Sequence, residues 1–288
     1  MRLDISPPSN AFEVVTKRWG LQNAEQILQT YRSTVYRVES PKGPAKLKLY
    51  TQIGYRGERA AISFSKSVSS NAIAKIYQND FYRAAVLSEW VEGPTVQEVL
   101  QKGDYEKATR LACEVIRSLT ETSRIRFPFA YRRKTATQYR TLRQKFKNGQ
   151  SPQNEALLAE GLGIFERLLS RRRDERVIHG DLHYENMIQT PIGARAIDPR
   201  GVRAHPVVNC QSLFIDSGAE IDLSAFAKVF SDQVQIFTEN LGFDRDTVMQ
   251  LALFARIWRT LKIGDDRQAL RERRLREVEL IRSVIAQT

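Results

Sequence analysis

The stretch Val177-Ile178-His179-Gly180-Asp181-Leu182-His183-Tyr184-Glu185-Asn186, with Ile197-Asp198-Pro199 a short way downstream, decides the reading of this 288-residue chain. Apolar Val177 and Ile178 lead into a polar loop as a short buried strand would, and Met187-Ile188 and Ala194 to Ile197 read as two further strand stubs. The loop and the turn after it supply Asp181, Asn186 and Asp198. Phosphoryl transfer needs that set: a carboxylate to orient the attacking hydroxyl, plus a neutral oxygen and a second carboxylate to hold a divalent cation against nucleotide phosphates. Singly, each residue is ordinary turn chemistry, because Asp, Asn and Gly gather in any loop. Their joint placement between strand stubs points to a metal–nucleotide site. His179, one of three histidines, reads as a brace for the loop backbone, and His183 as a packing residue or a neighbour of the substrate.

Size and composition bound the rest. At 33.1 kDa the chain holds two lobes, each with its own core. Cys113 and Cys210 lie far apart in apolar neighbourhoods, which argues for reduced core thiols rather than a disulfide framework or a metal cluster. The start of the chain lacks the apolar run of a signal peptide, and no later run approaches a membrane span, so the expectation is a soluble cytoplasmic protein with no membrane partner. The net charge is +12. Such a balance admits an anionic small-molecule acceptor and leaves nucleic acid open as a partner. The basic residues between 131 and 148, with no acidic residue among them, are the better candidate for an anion site. A second run, Arg171-Arg172-Arg173, precedes the loop, and the basic residues from Arg256 to Arg276 alternate with glutamates as a solvated, ion-paired helix face would.

Along the chain, Ala11 to Leu21 reads as a capped helix ending at Gly20. Ala24 to Leu28, Val35 to Val38 and Ala45 to Leu49 read as strands, a helix begins near Glu58, and Ile73 to Tyr77 and Ala84 to Trp90 read as two more strands about a turn at Gln78-Asn79-Asp80. A nucleotide bound beside such a sheet needs a cation for its phosphates and a carboxylate to hold that cation, roles open to Lys48 and Glu58. Lys46 and Lys48 share one face of the third strand, so a swap between them stays open. Ser33 and Thr34, in the glycine-free turn after the first strand, are candidates for phosphate contacts. Thr95 caps a helix from Val96 to Gln101, long helices cover Tyr105 to Thr120 and Glu155 to Leu169, and the chain after Leu223 is helix-rich.

The Asp-x4-Asn spacing and later Asp resemble the catalytic loop of the protein-kinase fold, with His179-Gly180-Asp181 in place of His-Arg-Asp and Asp198-Pro199 in place of Asp-Phe-Gly. That pairing resembles the aminoglycoside phosphotransferases. Leu47-Lys48-Leu49-Tyr50 is similar to the lysine strand of aminoglycoside and choline kinases, and Ser88 to Thr95 to the hinge between lobes. Arg18-Trp19-Gly20-Leu21 and Ala196 to Val202 are most similar to the streptomycin 6-kinase and hydroxyurea phosphotransferase branch. The resemblance implies a two-lobed α+β fold: an N-terminal helix (1–21), a small antiparallel-sheet lobe (22–92) and a larger, mainly helical lobe (93–288). It implies ATP and Mg²⁺ as cofactors and transfer of the γ-phosphate to a small-molecule hydroxyl, aminoglycoside-like, sugar or phosphosugar. Asp181 would be the base, Asn186 and Asp198 the Mg²⁺ ligands, Lys48 the phosphate clamp with Glu58 its partner, and Glu89 and Val91 the hinge positions against adenine. Lys46 departs from the kinase pattern, which places a small or apolar residue there. Arg203 to Cys210 departs from the acidic, Asp-Pro-rich segment of the family, which opens the question of the substrate. The alternatives are a protein kinase, opposed by the missing glycine loop and by Asp198-Pro199, and a non-catalytic binder of nucleotide or polyanion.

Overall fold

Alternating apolar and polar residues build the first lobe, and the computed structural model shows it as a five-stranded antiparallel sheet. The structure describes residues 10–122, 152–170, 174–214 and 221–287; the basic runs at 131–148 and 171–173 lie outside them. The strands are β1 (Gln22–Gln29), β2 (Ser33–Ser40), β3 (Gly43–Tyr50), β4 (Ile76–Asp80) and β5 (Ala85–Glu89), in the order β1-β2-β3-β5-β4. Ala45, Leu47 and Leu49 point to one side of β3 and pack with Val38, Ala85 and Leu87. Helix α1 (Ala11–Trp19) completes that core with Val15 and Trp19, and Gly20 ends it in the left-handed conformation. By packing, α1 is part of the small lobe. The opposite face of β3 carries Lys46 and Lys48 toward the cleft. Helix α2 (Gln52–Ser67), capped by the Thr51 side chain accepting from Gly54 N, carries Glu58.

Two sequence expectations shift here. The turn expected at Gln78-Asn79-Asp80 is strand; the chain turns at 81–84, because the Asp80 carboxylate accepts from Tyr82 N and Arg83 N and so caps the next residues. Ile73, expected in a sheet strand, instead makes a parallel bridge to Ala196 of the second lobe.

Gly93 marks the crossing between lobes. Its φ is +138°, and a Cβ there would meet the Gln189 carbonyl at 2.0 Å, so only glycine fits while Gln189 N donates to Pro94 O at 2.8 Å. Thr95 then opens α3 (Val96–Gln101) with a full capping box to Glu98, as its sequence signals. The second lobe continues with α4 (Tyr105–Thr122), α5 (Pro152–Ser170), α6 (Leu223–Leu241), α7 (Arg245–Thr260) and α8 (Gln268–Ala286), around a core of Phe214, Phe226, Phe230 and Phe237 with both buried cysteines. Short strands interrupt the helices: β6 (Arg176–Ile178) pairs with β9 (Val202–Ala204), and β7 (Met187–Thr190) with β8 (Gly193–Ala196). The C-terminal basic run is ion-paired as expected, yet its centre is not solvated. Glu277 is 1 % exposed and takes Arg256, equally buried, at 3.0 Å, with Arg273 and Arg274 at 3.3 and 2.8 Å. A buried carboxylate needs such partners to remain charged. No described helix is long and apolar enough to cross a membrane.

Candidate active site

The loop between β6 and β7 is fixed from beneath by His179. Its side chain is fully buried; Nδ1 accepts from Asp181 N at 3.3 Å, so the proton sits on Nε2, which donates to Ile197 O at 2.9 Å. Burial pushes its pKa down to about 4, which keeps the ring neutral and this tautomer in place. The His179 carbonyl accepts from Arg200 N and Gly201 N, and the Asn186 carbonyl from Ile197 N at 2.9 Å. Asn186 Nδ2 donates to the Asp181 carbonyl, also at 2.9 Å. These bonds lock the Asp181–Asn186 loop to the turn carrying Asp198. Gly201 closes that turn at φ +58°, where a Cβ would meet the Ala60 carbonyl of α2 at 2.6 Å. Asp198 itself adopts φ +51° ahead of a proline. A non-glycine residue held there costs on the order of 1–3 kcal/mol, and such outliers gather where geometry serves chemistry.

The three sequence-marked groups therefore meet, and cations face them. Lys46 Nζ lies 2.7 Å from Asp198 Oδ1 and Lys48 Nζ 3.8 Å from the same oxygen. Desolvation by the cleft walls alone would raise the Asp198 pKa; the two ammonium groups outweigh it and hold the carboxyl well below the usual range. With 43 % of its side chain exposed, Asp198 still feels water, which tempers that effect. Glu58 is raised by burial, partly offset by Lys48, and hydrogen-bonds Tyr50. Lys48 and Glu58 thus lie close enough to influence each other without forming an ion pair, and Lys46 makes the tighter contact with the acidic turn. The Asp181 carboxylate meets Arg200 Nε at 2.7 Å.

Ser33 and Thr34 do not sit in a turn: both belong to β2, because Thr34 pairs with Gln29 and Leu49 across the sheet. Ser33 N donates to Thr30 Oγ1, and it is Thr30, Arg32 and Ser33 that line the cleft. At the hinge, the Glu89 carboxylate is clamped by Arg195, Nη1 and Nη2 reaching its two oxygens at 2.5 and 2.6 Å. Arg195 also donates to Asn71 O and Ile73 O, so this residue of β8 ties the lobes together behind the cleft. Val91 follows in the connection, beside Trp90, which does line the cleft.

The cleft between the lobes encloses about 700 Å³, bounded by Ile27, Leu28 and Val35 above, Ile197 below, and Lys46, Lys48, Glu58, Asp181, Asn186 and Asp198 at its charged end. A second cavity of about 280 Å³ opens on the other side of Asp181 and Arg200, which line both spaces. A third, of about 390 Å³, lies against α4 and α6 with Asp104, Glu106, Asp232 and Glu239 in its wall, and shares no lining residue with the cleft. Sequence reasoning missed Arg195, Arg200 and the basic residues of the second cavity. Arg200 was visible beside Asp198, but nothing in the order of residues said that it would turn back onto Asp181.

A family model described as aminoglycoside/hydroxyurea antibiotic resistance kinase matches residues 18–277. Among solved structures the chain is similar to a choline/ethanolamine kinase family protein from Mesorhizobium loti, with TM-score 0.65 and 13% identity over 95% of this chain and 99% of that one. It is similar to a thermostable mutant of aminoglycoside phosphotransferase APH(4)-Ia in ternary complex with ADP and hygromycin B (TM-score 0.62, 10% identity, 96% and 98% covered). Choline kinase LicA from Streptococcus pneumoniae is a third (TM-score 0.59, 14% identity, 94% and 99% covered). At such identities the likeness establishes the fold, which is the two-lobed protein-kinase-like α+β fold. No curated protein matches the chain by sequence.

Proposed function

Since the chain belongs to the aminoglycoside/hydroxyurea antibiotic resistance kinase family, we propose that it transfers the γ-phosphate of ATP to a hydroxyl of a small molecule, with Mg²⁺ as the metal. The observation that carries this reading is the meeting of Asp181, Asn186 and Asp198 at one end of the cleft, opposite Lys46 and Lys48. Asp181 accepts the proton of the acceptor hydroxyl as its oxygen bonds to the γ-phosphorus; the bond to the β-phosphate oxygen breaks and ADP leaves. Arg200, bonded to Asp181, orients that carboxylate. Lys48, and Lys46 beside it, hold the phosphates, while Glu58 positions Lys48. Of the hinge from Glu89 to Val91, Trp90 lines the cleft and would meet the base, opposite Ile27, Leu28 and Val35.

The residues fit the metal. Asn186 uses Nδ2 on the Asp181 carbonyl, which turns its carbonyl oxygen to the ligand role, and both lysines approach Asp198 on Oδ1, which leaves Oδ2. One amide and one carboxylate oxygen, completed by phosphates and water, suit Mg²⁺, which takes few protein ligands. When bound, it would neutralise charge on the β- and γ-phosphates. Transfer of labelled γ-phosphate from Mg-ATP into a panel of small acceptors, with Asp181→Asn in parallel, tests the proposal. Label in a small molecule that vanishes in the variant supports it; label only in protein, or none, overturns it.

A further inference from the structure

The wall that Asp181 shares with the second cavity says what kind of molecule brings the hydroxyl. An acceptor must reach Asp181 from the side away from Asn186 and Asp198, and the space on that side is the cavity lined by Gly180, Val202, Arg203, Arg259, Lys262 and Trp258 together with Asp181 and Arg200. Among its described lining residues there are four cationic side chains, Arg200, Arg203, Arg259 and Lys262, and one carboxylate, Asp181 itself. Deepening the kinase reading, we infer that this cavity is the acceptor site and that the acceptor is a small anion, a polyol carrying a phosphate or carboxylate.

Each cation is placed by the fold. Arg203 stands on β9 and pairs at 3.1 Å with Glu175, whose carboxylate is nearly buried. Arg259, in the last turn of α7, donates to Ser212 O at 3.4 Å. Lys262, exposed just beyond that helix, holds Nζ 4.4 Å from the centre of the Trp258 ring. A half-buried indole with an ammonium against it offers a flat apolar surface beside positive charge, which suits a sugar-sized ring bearing an anion. The volume, about 280 Å³, falls just below the range of drug-sized ligand sites, roughly 300 Å³ upward, and so suits a small acceptor. A polycationic acceptor would meet the opposite of what it needs here. The wall with an acidic excess, Asp104, Glu106, Asp232 and Glu239 beside Arg110, belongs to the third cavity, which does not contain Asp181.

The test separates acceptor binding from catalysis. The full-length protein, its cleft saturated with AMP-PNP and Mg²⁺, is titrated calorimetrically with glucose, glucose 6-phosphate, glucuronate, inorganic phosphate and hygromycin B. At least one anionic sugar should bind about tenfold or more tighter than glucose, more weakly as salt rises, and inorganic phosphate should compete with it. Arg259→Gln and Lys262→Gln should each weaken that binding by about threefold to tenfold. Lys228→Gln, on the exposed face of α6, removes the same charge elsewhere and should not change it. Melting temperatures of the variants show that each is folded. The inference is overturned if glucose or hygromycin B binds as tightly as every anionic probe, or if anion binding survives both Gln substitutions but is lost in Lys48→Ala. Charge-selective binding with no phosphate transfer would keep this inference and sink the kinase reading; transfer to glucose or hygromycin B alone would do the reverse.

Discussion

The floor of the cleft and its roof are built by different rules. On the floor, a buried neutral histidine and four backbone or amide hydrogen bonds fix Asp181, Asn186 and Asp198 from below, and Tyr184, two residues before Asn186, is anchored in the helical core through its hydroxyl to Leu213 O. On the roof, β1 is exposed along its whole length and irregular in register at two places, and Ile27 and Leu28 overhang the cleft from it half-exposed. On the proposed kinase reading, chemistry that tolerates little displacement would fall on the braced side and binding that tolerates adjustment on the exposed side.

That contrast can be broken in order of expected size. Asp181→Asn should lower transfer by roughly 10²–10⁴-fold while ATP affinity, measured by titration, stays nearly constant; loss of ATP binding instead would show the floor to be fragile. Below the floor, Glu277→Ala leaves Arg256 buried without its carboxylate and should cost about 3–5 kcal/mol in denaturant unfolding. His179 gives the pH test. Its folded pKa, about 4, lies below the unfolded value of 6.5, so between them the unfolded chain binds the extra proton and stability falls as pH falls from 6.5 toward 4. The loss is a few kcal/mol at most; Glu58, displaced upward, offsets part of it. Melting temperature against pH should show this slope, and His179→Gln should flatten it. Smallest of all, Thr34→Ala on the roof should change KM for ATP by less than about threefold, because Thr34 does not line the cleft. A large effect there would erase the distinction.

The same contrast explains how much could be read from the chain. The floor is local: Val177 to Asn186 and Ile197 to Pro199 lie within a few turns of each other, so spacing alone indicated which groups meet. Strand alternation likewise placed Lys46 and Lys48 on one face, but which ammonium approaches Asp198 depends on rotamers and on α2. The second cavity was not legible. Trp258, Arg259 and Lys262 come from α7 and its end, far along the chain from Asp181, and the two cations fell in the run read as a solvated helix face. Long-range packing of that helix against residues 206–212, where Arg259 donates to Ser212 O, decides their exposure, and no local pattern encodes it. The turn misplaced at Gln78-Asp80 has a smaller cause, a carboxylate that ends one strand and caps the next loop.

The contact between Lys46 and Asp198 changes what a chelator would do. A carboxylate that already has a cationic neighbour from its own chain on Oδ1 does not rely on an ion at its other oxygen to hold its place. Stripping divalent ions should therefore silence the protein without softening it: activity gone, melting temperature within about a degree or two of the untreated sample, as expected when little stabilisation comes from a ligand. In Lys46→Met the nearer of the two ammonium groups on Asp198 is removed, and the same treatment should then lower the melting temperature measurably.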